Sequence, residues 1–94
     1  MVIGACTIEL HLPGNGSLKG KRRVLKSLIS RIHKEFNVSV AEVDSQDKWQ
    51  TAILGVVCVS NGQGYVHGLL TRVVHWIENN RPDVEVMDYR IEII

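Results

Sequence analysis

Residues 17–34, SLKGKRRVLKSLISRIHK, hold seven cations and no acid: Lys19, Lys21, Arg22, Arg23, Lys26, Arg31 and Lys34. The other four cations and ten acids leave −6 for the rest of the chain, so the formal net charge of +1 conceals a sorted distribution. Clustered Lys and Arg bind phosphates and displace their counterions, which is the chemistry of nucleic-acid contact. Lys19, Lys21, Arg22, Arg23 and Lys26 are therefore candidate anion- or nucleic-acid-binding side chains. Their position, where a helix should begin, sharpens the point. A cation there is unfavourable by about 0.3–1 kcal/mol, so something negative must offset the cluster. That partner is either an external anion or the acids Glu42, Asp44 and Asp47 of the same chain, which flank Trp49 and Gln50.

Other chemistries find less support. A phosphate loop of the G-x-x-x-x-G-K-[ST] type needs its first glycine and a hydroxyl for magnesium. Residues 15–22, NGSLKGKR, have Asn15 and Arg22 at those places, and Gly20 falls inside the helix. Gly62-Gln63-Gly64 lacks the third glycine of a dinucleotide fingerprint. His11, His33, His67 and His75 form no metal-ligand spacing, since residues eight apart stand about 80° from one another on a helix. Neither metal nor cofactor is expected. Glu9 and His11 share a strand face with Asp88, Arg90 and Glu92 expected alongside, an arrangement that reads more simply as a cross-strand charge lattice than as an acid–base pair. No catalytic residue emerges. Cys6 and Cys58 lie in apolar runs without a CxxC and read as buried thiols of a reducing cytoplasm.

The elements that must carry these residues follow from periodicity. Residues 2–12 alternate as a strand, with Val2, Cys6, Ile8, Leu10 and Leu12 on one face and Thr7, Glu9 and His11 on the other. Pro13-Gly14-Asn15-Gly16 breaks the pattern, and Ser17 is a candidate N-cap. Leu18, Leu25, Leu28, Ile29, Ile32 and Phe36 mark the apolar stripe of a helix ending at Asn37. Lys19, Arg23, Lys26, Ser30 and Lys34 fall opposite that stripe, while Lys21 and Arg22 fall beside it and are expected to bend toward the end of the sheet. Residues 38–43 and 50–60 read as strands joined by a polar hairpin. Ser60 and Gln63 fit a capping box before a second helix carrying Val66, Leu69, Leu70, Val73 and Ile77. Asn79-Asn80-Arg81-Pro82 stops it, and residues 83–94 form the last strand.

The order β-α-β-β-α-β predicts one domain, residues 1–94, with a ferredoxin-like α+β sandwich: a four-stranded antiparallel sheet and two helices on one face. Three loops, around 13–17, 44–49 and 80–83, then meet at one end of the sheet, bringing the cations near Asp44, Asp47, Trp49 and Arg81. The central strands lack the Phe and Tyr that RNA-binding sheets of this architecture use for stacking, so any RNA contact must come from the basic helix. Strand 50–60 is apolar on both faces, so its open half predicts a homo-oligomer, dimer or higher, formed through the sheet. No apolar run is long enough to span a bilayer and the chain opens directly on a strand pattern, which together predict a cytoplasmic protein with no membrane partner.

The segments SLKGKRRVLKSL and FNVSVAEVDSQDKWQTAILGVVCVS resemble the YlxP-like family of small bacterial proteins, a domain of unknown function. The resemblance runs nearly end to end. It implies a ferredoxin-like fold, a bacterial cytoplasmic protein and no established activity. Members commonly sit among genes for translation initiation and ribosome maturation, which implies a possible RNA or ribosome partner. Its motif residues here are Ser17, Leu18, Lys19, Lys21 and Arg22, with Ala41, Glu42, Asp44, Asp47, Trp49 and Gln50 around the hairpin. Three readings stand: a non-enzymatic module that binds a polyanion, an assembly or adaptor protein whose cations pair internally, and an enzyme acting on a small anion.

Overall fold

A computed structural model describes residues 1–94. The order is β1 (Val2–His11), α1 (Leu18–Glu35), β2 (Ser39–Asp44), β3 (Thr51–Ser60), α2 (Gln63–Asn80) and β4 (Glu85–Ile93). All strand pairs are antiparallel, in the order β2-β3-β1-β4. This is the ferredoxin-like α+β architecture that the alternation of periods predicts.

Alternation divides the sheet into two unlike faces. Cys6, Ile8, Leu10 and Leu12 point to the helices with Ala52, Leu54, Val56 and Cys58, and all are buried. From α2 come Val66, Leu69, Leu70, Val73, Val74 and Ile77; α1 adds Leu25, Leu28 and Ile32. At about 25 cal/mol for each Å² withdrawn from water, this single cluster is the main stabilising term. Helix α2 lies close on β1 at Gly4, where a Cβ would stand 2.2 Å from a Val66 methyl, so only glycine allows that approach. The seam between the helices holds Trp76, edge-to-face with Phe36 at 6.3 Å and covered by the Arg31 guanidinium at 5.6 Å.

Both edge strands carry a bulge. The β2–β3 register shifts between Glu42 and Asp44, and the β1–β4 register shifts between Glu9 and Leu10. Val43 and Met87 are the extra residues, and both are exposed. The expected Ser60–Gln63 capping box does not form. Ser60 stays in β3 opposite Val2, and Gly62 is the N-cap of α2 without a side-chain bond. At α1 the expectation holds: Ser17 is extended, and its Oγ accepts the Gly20 N–H at 2.9 Å.

Candidate nucleic-acid interface

Lys21 lies on the inner side of α1 and is 1% exposed. Its ammonium donates to the carbonyls of Ser45 and, at 2.8 Å, Lys48, and stands 2.8 Å from Glu42 Oε2. An ammonium has three N–H bonds and no accepting capacity; the two carbonyls take two of them, and the Glu42 carboxylate supplies the counter-charge. A buried charge is tolerated only when paired and hydrogen-bonded in this way. Glu42 faces the helices because it stands opposite buried Leu54 in the β2–β3 register. Its Oε2 is buried and accepts no directed hydrogen bond, so its stabilisation comes from the charge of the ammonium beside it.

The carbonyls that Lys21 holds belong to the hairpin between β2 and β3. Ser45 has φ 65°, the left-handed region that a non-glycine residue enters at a cost of order 1 kcal/mol. Asp44 Oδ1 accepts the Ser45 N–H at 2.7 Å, and the Lys48 N–H closes the turn on the Ser45 carbonyl at 3.1 Å. Lys21 also donates to the Ser45 and Lys48 carbonyls of that turn, fixing it against α1.

A second tie runs through Asn15. Its Nδ2 donates to the Ser17 carbonyl at 2.9 Å and to the Trp49 carbonyl at 2.6 Å. In return Gln50 Nε2 donates to the Asn15 carbonyl at 3.0 Å, and the Leu12 N–H donates to the Gln50 carbonyl at 2.9 Å. This accounts for the glycine inside α1. A Cβ at Gly20 would lie 2.4 Å from Asn15 Oδ1 and 3.1 Å from Ser17 Oγ, so the Asn15 side chain occupies the space a side chain would need.

The structure thus corrects two expectations about the cations. Lys21 is not available to an external anion, because it is buried and neutralised within the chain. Arg22 does not bend to the sheet but is exposed with Lys19, Arg23 and Lys26. These four stand at i, i+3, i+4 and i+7, one stripe on the outer side of α1 spanning about 10 Å of helix. None forms an ion pair, and the first turn of α1 holds no acid. Asp44 and Asp47 are exposed on the hairpin, but neither pairs with a cation. Trp49 is 55% exposed, and no ring or cation stacks on it.

Two further clusters lie outside this site. Arg81 grips Asp83 through Nε at 2.9 Å and a terminal nitrogen at 2.7 Å, and it donates to Ser27 Oγ of α1 at 3.1 Å. The fork holds the Asp83 carboxyl below its ordinary value and raises the guanidinium still further. On the open face, Thr7, Glu9, Ile53, Asp88 and Arg90 line a shallow depression of about 160 Å³. Glu9 stands opposite Asp88, His11 Nδ1 lies 3.7 Å from Glu85, and Arg90 pairs with Glu92 at 3.1 Å. No three His, Cys, Asp or Glu side chains converge as metal ligands. Cys6 and Cys58 are free and buried, and burial pushes the Cys6 thiol up to about 11.

Sequence reasoning missed Asn15, which joins the helix lead-in to the hairpin. The readable signal was the pairing of an unexplained helical glycine with an Asn in the preceding turn, since Gly inside a helix often marks a close approach.

The two helices on one face of the sheet, and a hairpin pinned to the start of the first helix, define a small ferredoxin-like α+β protein with a basic helix stripe. No helix is long and apolar enough to cross a membrane. The chain belongs to the DUF503 family, described as a protein of unknown function, whose model matches residues 3–91. It is 37% identical over 84 residues to the uncharacterized protein YlxP of Bacillus subtilis (strain 168), covering 89% of this chain and 90% of that one. Among solved structures it resembles the de novo designed protein Foldit4, with a TM-score of 0.55 and 14% identity over 98% of this chain and 97% of that one. That last likeness concerns the fold alone.

Proposed function

We propose that this protein is a non-enzymatic binding module of the bacterial cytoplasm that engages RNA, or another polyanion, through Lys19, Arg22, Arg23 and Lys26. The observation that carries the reading is the exposed stripe of four cations without an acid partner, on a helix whose first turn has no acid. Each phosphate neutralised releases counterions, so affinity must fall with salt. Four contacts give a log–log slope of about −3, or roughly a 50-fold loss between 50 and 200 mM salt. Filter binding of a structured RNA across that range tests it, with Arg22→Ala/Arg23→Ala as the paired variant. Binding that ignores salt, or that the double variant leaves intact, overturns the electrostatic reading.

A second reading concerns assembly, and a different observation favours it. Val57 and Val59 are 42% and 61% exposed on the open face of β3. With Met1, Ile3 and Val38 they line an apolar groove of about 380 Å³. A chain this short buries a modest core, and a second copy laid on the same groove would extend it. Light scattering after gel filtration tests the reading: a dimer that Val57→Asp/Val59→Asp converts to monomer supports it. A monomeric parent protein, or a dimer indifferent to those changes, overturns it.

A further inference from the structure

Three aromatic side chains are exposed: Trp49, Tyr65 and Tyr89. Tyr65 is in the first turn of α2 at the opposite end of the sheet, and Tyr89 lies within β4. Only Trp49 stands at the end where the cationic stripe begins. One atom ties the Trp49 backbone to the N-cap of the helix that carries the stripe, since Asn15 Nδ2 donates to both the Ser17 and the Trp49 carbonyl.

The backbone around this ring is held at three consecutive residues. The Lys48 carbonyl is bound by Lys21, the Trp49 carbonyl by Asn15 and the Gln50 carbonyl by the Leu12 N–H. The indole, by contrast, is uncommitted. Neither ring nor cation covers it, whereas the other tryptophan, Trp76, is packed against Phe36 and Arg31. A large apolar ring left in water on a fixed backbone is ready to stack, and little ordering remains to be done when it does.

We infer that the partner of this surface is a single-stranded nucleic acid, with one base stacked on Trp49 and the neighbouring phosphates on Lys19, Arg22, Arg23 and Lys26. The inference rests on the polyanion reading above and narrows it. A positively charged track beside an aromatic platform is how single strands are bound without sequence preference. A duplex does not satisfy the same surface, because its base faces are already covered by their neighbours. Charge and stacking treat ribose and deoxyribose alike, so RNA and DNA strands are both candidates.

The test is a titration of the full chain with a 12-nucleotide single-stranded RNA, the DNA of the same sequence, and the blunt RNA duplex. Trp76→Phe isolates the Trp49 fluorescence. Single strands should quench that fluorescence and bind more tightly than the duplex. Trp49→Ala should weaken single-strand binding by about 5- to 150-fold while leaving the duplex unaffected, and Trp49→Phe should retain most of the affinity. Circular dichroism checks that both variants fold. Unchanged single-strand affinity in Trp49→Ala, without quenching in the parent, overturns the stacking platform. The polyanion reading would then still stand if binding remained salt-dependent and sensitive to Arg22→Ala/Arg23→Ala. A Trp49→Ala variant that loses only self-association also overturns the inference. No binding of any strand at low salt overturns both.

Discussion

Lys21 Nζ and Glu42 Oε2 meet at 2.8 Å beneath the β2–β3 hairpin, so the one cation of the basic cluster that is buried is also the one an acid of the chain neutralises. Its exposed neighbours Lys19, Arg22, Arg23 and Lys26 have no acid partner within the chain.

Replacing Lys21 by Met keeps most of the side-chain volume and removes the charge. Glu42 then loses its counter-ion and two hairpin carbonyls lose a donor. Breaking a buried pair from one side costs about 3–5 kcal/mol, and the 19% exposure of the Glu42 side chain puts the expected loss near the lower end. Urea denaturation of Lys21→Met should read that loss, and adding Glu42→Gln should recover part of it. A change within about 0.5 kcal/mol would mean that the tie contributes nothing.

At Gly20 the ordinary helix preference is reversed. Alanine inside a helix is favoured over glycine by about 1 kcal/mol. Here its Cβ would displace Asn15, whose two donated bonds are worth about 1 kcal/mol each. Gly20→Ala should therefore destabilise the parent protein slightly. In an Asn15→Ala background the same change should stabilise it. Thermal melts of the four proteins in that cycle decide the point, and a stabilising Gly20→Ala in the parent would contradict the proposed steric conflict.

How much of this was legible beforehand varies by residue. The alternation of Cys6, Ile8 and Leu10, and the stripe Leu25, Leu28, Ile32, fixed the layers, because periodicity directly reports which side is buried. The convergence of three loops at one end followed from topology. What the pattern could not say was which member of a cation run turns inward. Lys21 and Arg22 are adjacent and equally charged, and only the register that brings Glu42 to the helix face separates them. The Asn15 tie and the left-handed Ser45 were equally hidden, since both join parts of the chain whose approach depends on the finished fold.

The Arg81–Asp83 fork predicts an acid-side dependence. Asp83 has its folded pKa lowered, first by the hydrogen bonds from Arg81. Its contribution is therefore complete above the ordinary carboxylate value of about 3.9, and it is lost as pH falls through the lowered folded value. Asp83→Asn should be less stable than the parent at pH 7, by under about 1 kcal/mol because the pair is partly exposed. The two stability curves should converge as the solution is acidified below the carboxylate range. Parallel curves throughout would remove Asp83 as the titrating group.

The two thiols should be slow. With its pKa near 11, Cys6 carries almost no thiolate at neutral pH and is 1% exposed. Iodoacetamide should label it only at the rate of unfolding, and added urea should accelerate the reaction. Rapid labelling of Cys6 in native buffer would show that β1 opens locally.

The paired bulges have an outcome for crowded solutions. Regular ladders break on both outer rims of the sheet, at Val43 and at Met87, toward the end that carries the hairpin. An incoming chain cannot zip along the full length of either rim, because an irregular edge twists out of plane and interrupts its row of donors and acceptors. Uncontrolled growth into fibrils along either rim is thereby discouraged.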